Sequence, residues 1–597
     1  MITNVVALTL LTTLLPGAPA PASAQPGTHE CAGATTRCDG SVQVPLDWDD
    51  PASQRISVAF AFIPAKNTAD GTIVANPGGP GPVISTLDGI QDSLGPVLKS
   101  KNLLLMDPRG IGESSRLVCE GAALDKPETI APCAKKIGPK AAYYTADQAS
   151  HDLEAVRRAL GLGRVSYYGN SYGTVFAQAY AAHHPRSLDA IFLDSTVVVE
   201  PTGYASWEYF THSQMTHLDT VCDRSKECAA LPGKASGIWT RLVERLRRHP
   251  DPAVSVFQTY ILRNVERPLY GREATAAADA YLRGDTAPLY RLARDLPTGL
   301  PTRPDPDFAG YLAFRCGDGA FPFDRHTPGP GRRAQAERYY QRERPLAPYE
   351  VTDIYPGFDT AEPCIDWPTP RHSPVRPPGQ TPPSIPVLAM AGELDFNGGP
   401  GAVARSLRAF PNVSVLTVPF GDHALTIPPS GPGAASHCAR ETLRAFLATK
   451  RVTDQGCTAE NYRAVGRFPR RLADVAPHRA PTLTTTQQRV LAAVLATAAD
   501  ATARRNPNIF PPSTPNHPGL RGGQLTLGAD ITLTQLRYVE DVQVTGTIAL
   551  TSHSSATATL RAETGGRTHE VTLAWNPFTT DPKVAGTFDG ASFGYFS

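Results

Sequence analysis

Across its 597 residues the sequence carries almost no excess charge: 57 basic residues against 56 acidic ones leave a formal net charge of +1, and no long like-charge run disturbs the balance. Electrostatic attraction to nucleic acid or to an anionic lipid surface is thereby excluded as a basis for function. Beyond the first 24 residues there is no apolar stretch long enough to span a bilayer, so no membrane span is expected. Cys-x-x-Cys is missing, and so is any paired Cys/His spacing of the zinc-site kind; no metal ion and no cofactor is expected. No Gly-Lys-Ser/Thr follows the glycine-rich stretch at residues 76–81, which removes a phosphate loop from consideration.

Positive charge is also absent from the start of the chain, where no Lys or Arg precedes Arg37. The apolar run VVALTLLTTLLPGAPAPASA nevertheless ends in a small-x-small site at Ala22–Ser23–Ala24, which predicts a signal peptide over residues 1–24 and a secreted, extracellular protein. Ten cysteines, an even number, agree with export. They fall in sequence-local couples: Cys31 with Cys38, Cys119 with Cys133, Cys222 with Cys228, Cys316 with Cys364, and Cys438 with Cys457. Nearest-neighbour disulfides are expected, although spacing alone does not fix connectivity. Each would contribute about 2–4 kcal/mol by restricting the unfolded chain.

What is present is a long alternation of buried strands and helices. SVQVPLDW and RISVAFAFIP flank DDPASQ and predict an antiparallel hairpin. GTIVANPGG, NLLLMDPRG, RVSYYGNS, LDAIFLDS, IPVLAMAGELD and VSVLTVPFGDH then read as near-continuous hydrophobic strands of a mostly parallel sheet. Thr145-x-x-Gln148 predicts a capping box opening ADQASHDLEAVRRALG, which Gly161 can close. An α/β fold follows, with its core over residues 25–200 and 384–470. Residues 201–383 interrupt the alternation with helical stretches and predict an inserted, mainly helical cap. Residues 471–597 predict a helix followed by a small β-rich accessory domain.

Gly-x-Ser-x-Gly, a nucleophile pattern of serine hydrolases, occurs twice, in GNSYG around Ser171 and in GASFG around Ser592. A nucleophilic serine of this kind needs a tight turn between a buried strand and a helix, so that the helix N-terminus faces the reacting oxygen. Ser171 lies between RVSYY and GTVFAQAYAAHH; Ser592 has only five residues behind it and is a chance match. With this elbow the acid and base follow in the order Ser, Asp/Glu, His, on loops after late strands. Asp395 and His423 satisfy that order at two strand ends, with Asp422 a poorer candidate for the acid because it adjoins His423. The loop Asn76–Gly81 precedes the nucleophile, so the backbone N–H groups of Gly79 and Tyr172 are the candidate oxyanion donors.

The ordered set NPGGPG, DPRGIGES (Asp107–Ser114) and GNSYGT resembles the secreted bacterial tripeptidyl aminopeptidases and related proline iminopeptidases, serine peptidases of the α/β-hydrolase fold. The resemblance covers roughly residues 38–457. It departs from the family where Pro82 and Val83 follow NPGGPG and where Asp422 precedes His423. It implies that Asp107 and Arg109 brace the oxyanion loop, and that peptides are the substrates; a monomer is expected, although the sequence does not fix the oligomeric state. An aminopeptidase must also read a free α-amino group, for which Glu200 and Glu208 at the start of the cap are candidates. Two other readings remain open: a carboxylesterase or lipase-like hydrolase with the same triad, and a secreted protein that binds cell wall or carbohydrate through its C-terminal β domain.

Overall fold

The computed structural model describes residues 31–594 apart from 124, 200–206, 300–304, 355–359, 371–374, 378, 397, 428–433, 458–462, 505–514, 553–554 and 578–581. The predicted signal peptide lies outside the described residues. Among those described, no helix is long and apolar enough to cross a membrane.

The hydrophobic runs form an eight-stranded sheet from β1 (Cys38–Pro45), β2 (Arg55–Ile63), β3 (Thr72–Asn76), β4 (Asn102–Met106), β5 (Val165–Asn170), β6 (Leu188–Asp194), β7 (Val387–Gly392) and β8 (Val413–Val418). Its order is β1-β2-β4-β3-β5-β6-β7-β8. The β1–β2 and β2–β4 pairs are antiparallel, and every pair from β4–β3 onward is parallel. Every residue of β3, β5 and β7 is buried, because helices cover both faces of the sheet. In-register pairing of Asn76 with Gly169 and of Asn170 with Asp194 brings the C-terminal ends of β3, β5 and β6 to one edge. The loops that follow these strands therefore share one end of the molecule.

The helix Ala146–Ala159 begins as expected, with Thr145 accepting from the Gln148 N–H. The Gln148 side chain does not complete a capping box; its Oε1 accepts from the Trp48 backbone N–H at 2.9 Å and so ties the helix to the segment after β1. Gly161 closes the helix at φ 64°. Arg109 is also used differently from expectation. Its fully buried guanidinium binds Asp152 at 2.6 and 2.7 Å and the carbonyls of Leu46 and Tyr143, bracing this helix against the first hairpin rather than the oxyanion loop.

The helices between β6 and β7 divide between two cores. Apolar residues between Leu218 and Leu296, with Leu346, Tyr349 and Ile354, belong to the same buried cluster as the C-terminal sheet. Phe308, Leu312, Phe314, Cys316, Cys364 and Trp367 pack instead into the cluster beneath the first sheet. A buried charge network joins the cap to the C-terminal helix Thr485–Ala503: Arg291 binds Asp500 at 2.8 and 2.9 Å, and Glu273 receives both Arg291 and Arg504.

All five expected cysteine couples are bonded. Cys31 joins Cys38 at the start of β1, and Cys119 joins Cys133 across the segment between β4 and β5. In the cap, Cys222 joins Cys228, and Cys316 joins Cys364 over a separation of 48 residues. Cys438 joins Cys457 after β8. Their Cα–Cα distances run from 5.0 to 5.6 Å, and five such bridges point to an exported protein.

The C-terminal segment is an antiparallel meander of eight strands in sequence order: β9 (Asn516–Pro518), β10 (Gln524–Leu527), β11 (Ile531–Leu536), β12 (Gln543–Ser552), β13 (Ser555–Thr564), β14 (Arg567–Trp575), β15 (Val584–Phe588) and β16 (Ala591–Phe593). Along β13 and β14 buried apolar residues alternate with exposed polar ones. Thr526, Thr532, Thr547, Thr559, Thr572, Thr587 and Ser592 stand opposite one another in register, a row of hydroxyl residues that supports the exposed face.

Candidate active site

β5 is followed at once by Ser171, whose φ of 50° is in the left-handed region, and then by the helix Gly173–His183. The two glycines of the motif are there because this turn leaves no room for side chains. A Cβ on Gly173 would lie 2.1 Å from the Asn76 carbonyl oxygen, and one on Gly169 would lie 2.7 Å from the Gly173 carbonyl oxygen. Ser592 lies in the short edge strand β16, where its carbonyl accepts from Thr482 Oγ1 at 3.2 Å.

The loops after β7 and β8 bring the two other candidates to Ser171. His423 Nε2 is 2.9 Å from Ser171 Oγ, and His423 Nδ1 is 3.0 Å from Asp395 Oδ1. Asp395 is buried, and Asp422 is not the hydrogen-bond partner of the imidazole. The Asp422 carboxyl is pushed well above the usual range by burial and by the nearby Glu266 charge. A family model for the alpha/beta hydrolase fold matches residues 71–215, across β3, the elbow and β6. The fold is that of an α/β-hydrolase.

A second family model, for TAP-like protein, matches residues 356–459 of this chain, a span that holds Asp395 and His423. Serine protease Hip1 of Mycobacterium tuberculosis is 31% identical over 255 residues, covering 36% of this chain and 48% of that protein. The tripeptidyl aminopeptidase of Streptomyces coelicolor is 27% identical over 197 residues, covering 28% of this chain and 36% of that protein. The crystal structure of proline iminopeptidase from Mycobacterium smegmatis is 16% identical and covers 68% of this chain and 98% of that one, with a TM-score of 0.35. The chain thus spans about half the length of the first of these relatives.

Several groups with no sequence signature hold the candidate site together. Asp194, at the end of β6, accepts from Asn170 Nδ2 at 2.7 Å and from the backbone N–H groups of Leu425 and Thr426 at 3.2 and 2.7 Å. It thereby links the residue before Ser171 to the residues after His423. Ser195 Oγ accepts from the Ala424 N–H at 2.7 Å and reinforces the same link. Phe396 packs its ring 4.6 Å from the His423 ring. Burial alone would push the imidazole down, but the Asp395 carboxylate and its hydrogen bond, with Glu266 and Asp194, carry it up to about 9.

The candidate oxyanion loop is braced as expected by Asp107, whose Oδ1 accepts from the N–H groups of Val83 and Ile84 at 2.7 and 2.9 Å. Gly78 donates to Asn76 Oδ1 at 2.9 Å, so its own N–H is engaged and Gly79 carries the next one along the loop. A Cβ on Gly78, at φ 96°, would lie 2.8 Å from the Tyr172 nitrogen, which shows how closely the loop meets the start of the nucleophile helix. The Tyr172 hydroxyl donates to Asp318 Oδ2 at 2.9 Å and ties this residue to the helix Phe308–Asp318.

Glu200 and the side chain of Glu208 lie outside the described residues. The cap contributes another carboxylate that carries no signal in the sequence. Glu266 receives Asn264 Nδ2 on Oε1 at 2.8 Å, while its buried Oε2, like Asn264 Oδ1, has no hydrogen-bond partner among the described residues. Burial is the largest effect on Glu266 and carries its carboxyl up to about 7, with His423 opposing that rise and Asp395 adding to it. On the helix Trp207–Asp223, Thr211 Oγ1, both polar atoms of Gln214 and His217 Nδ1 are likewise buried and without partners among the described residues. His217 feels the negative charges of Asp395 and Glu393, which sets its ring near the candidate acid. Just past this helix, Arg224 pairs with Glu393, two residues before Asp395, through Nη1 at 2.8 Å.

Proposed function

We propose that this hydrolase is a secreted serine exopeptidase that cleaves short peptides from free N-termini. The observation that carries the reading is the continuous Ser171–His423–Asp395 hydrogen-bond chain beside a buried carboxylate, Glu266, with one unused oxygen. In the reaction His423 Nε2 takes the Ser171 proton as Oγ bonds to the scissile carbonyl carbon. The carbonyl electron pair moves to oxygen, where the N–H groups of Gly79 and Tyr172 receive it; one such donor stabilises the transition state by about 2.7–4 kcal/mol. Asp395 holds the imidazole tautomer and stabilises the imidazolium. His423 then returns the proton to the leaving amine nitrogen as the C–N bond breaks. Water, deprotonated by His423, releases the acyl group and restores Ser171.

Glu266 takes the role first assigned to Glu200 and Glu208. A substrate ammonium replaces the missing partner of Oε2 and keeps the carboxyl ionised, a charge-assisted bond inside a buried site. The relatives named a serine protease and a tripeptidyl aminopeptidase support peptide chemistry. A further relative, Carboxylesterase B of Mycobacterium tuberculosis, is 35% identical over 86 residues and supports the esterase alternative, which needs no ammonium partner.

The test compares a tripeptide anilide, free and N-acetylated, with a short-chain nitrophenyl ester. The free peptide is expected to be cleaved at least about tenfold faster than the acetylated one, the minimum for losing a charged hydrogen bond. Equal rates on the two peptides would overturn the exopeptidase reading, and ester cleavage without peptide cleavage would establish the esterase. Ser171→Ala is expected to abolish turnover of every substrate and Ser592→Ala to leave it unchanged.

A further inference from the structure

Away from Ser171, the opposite end of the nucleophile helix carries a second cluster of chemistry-bearing side chains. Asp147 and His151 are four residues apart on the helix Ala146–Ala159, so they share one face, one turn apart. His183 is the last residue of the helix Gly173–His183, which packs against that face. Each of the three offers one ligand atom, and these atoms all lie within 4.8 Å of one another. We propose that Asp147, His151 and His183 form a binding site for a single zinc ion that staples the two helices together.

Three features support a metal site. First, His183 Nε2 is buried and lies 2.6 Å from Asp147 Oδ1, so an imidazole nitrogen and a carboxylate oxygen already meet inside the cluster. Second, Asp147 and His151 both have outer partners of the kind that orient metal ligands. Asp147 Oδ2 accepts from Gln148 Nε2 at 3.1 Å, and His151 Nδ1 lies 3.0 Å from His184 Nε2. Third, the side chains of His183 and Asp147 keep 12% and 10% exposure, enough for a water to complete the coordination.

The donor set selects the cation. Two imidazoles and one carboxylate suit zinc, whereas calcium and magnesium require oxygen-rich shells, and all ten cysteines are consumed in disulfides. Tetrahedral zinc with ligands near 2.0–2.1 Å places its ligand atoms about 3.3 Å apart, so His183 Nε2 and Asp147 Oδ1 part from 2.6 Å while the wider separations, up to 4.8 Å, close, shifts that side-chain rotation can supply. The helix between Ser171 and His183 has 11 residues and is therefore roughly 16 Å long, so the ion acts on stability and does not reach the reacting atoms.

The test uses the full-length exported protein, stripped with a chelator, dialysed, and titrated with zinc chloride. One zinc per chain by elemental analysis and a higher Tm with zinc are expected, together with unchanged nitrophenyl-ester turnover. Cobalt(II) on the unmutated protein is expected to give the visible absorption of a four-coordinate N/O site. Asp147→Asn and His183→Gln are expected to abolish stoichiometric binding, and His184→Gln to weaken it about ten- to a hundredfold. Zinc content no higher than the buffer blank, a cobalt spectrum identical to that of the aqueous ion, or full stoichiometry retained in folded Asp147→Asn and His183→Gln would overturn the proposal. A Tm increase with calcium equal to that with zinc would overturn it as well. The cobalt measurement decides the matter even where a variant fails to fold.

Discussion

Proton affinity at His423 is set by the negative groups gathered around it. Asp395, Glu266 and Asp194 outweigh burial and carry the imidazole up to about 9. Only the neutral ring can take the Ser171 proton, so kcat/KM is expected to fall as pH drops below that value and to rise into the alkaline range. Removing one of those carboxylates moves the profile in a definite direction. Glu266→Gln is expected to shift the acid limb to lower pH on the nitrophenyl ester, since less negative charge holds the proton. On free-amine peptides the same variant loses the ammonium partner, and kcat/KM is expected to fall about ten- to a hundredfold. A pH–rate profile of the variant and the unmutated enzyme on both substrates separates the electrostatic effect from the binding effect.

At the scale of elements, the elbow is a junction of three close approaches among β3, β5 and the nucleophile helix. Gly173 meets the carbonyl of Asn76 so closely that a methyl group there requires the backbone to move. Gly173→Ala is therefore expected to cost about 1–3 kcal/mol in urea unfolding and to lower kcat about 10²-fold, because Ser171 is displaced from His423. An unchanged kcat with only a stability loss would show that the helix moves without taking Ser171 along. Asp194 belongs to the same scale. It bonds the end of β5 to the loop after β8, two elements far apart along the chain.

The molecule as a whole is held by a core that crosses its sequence segments. The cap residues around Trp239 and Leu242 share one buried cluster with the C-terminal sheet, and the Arg291–Asp500 and Glu273–Arg504 pairs sit inside that junction. Burial alone would raise the Asp500 carboxyl, but the guanidiniums of Arg291 and Arg504 hold it well below the usual range. Asp500→Asn leaves Glu273 as the one carboxylate shared by the buried guanidiniums of Arg291 and Arg504 and is expected to destabilise the protein by about 3–5 kcal/mol, read as a lowered denaturation midpoint. Because Glu266 and His217, from the helical segment between β6 and β7, are close enough to feel the charges of Asp395 or His423, loss of ester turnover is expected to track that unfolding. Turnover that survives after the C-terminal sheet has melted would show that the two cores unfold independently.

Much of this organisation was legible in the sequence because it is local. Fully buried strands show themselves as unbroken hydrophobic runs, and a nucleophile elbow shows itself as a serine between such a run and a helix. The order Ser171, Asp395, His423 follows from which strand ends each loop leaves. The cysteine couples, from Cys31 with Cys38 to Cys438 with Cys457, are neighbours along the chain and pair accordingly. Local pattern misled where a side chain had a distant competitor. Gln148 turns to Trp48 instead of closing its capping box, and Arg109 turns to Asp152 instead of the oxyanion loop. Glu266, Asp194 and the meeting of Asp147 and His151 with His183 had no readable signal, since each depends on helices or loops that approach across long separations. Residue order was thus enough for the strands of the sheet, the elbow around Ser171 and the succession of Asp395 and His423. Which buried carboxylate feels the Asp395–His423 pair, which histidines meet an aspartate, and the sharing of one core by the helices after β6 and the last sheet emerged only in three dimensions, because packing rather than local periodicity brings those groups together.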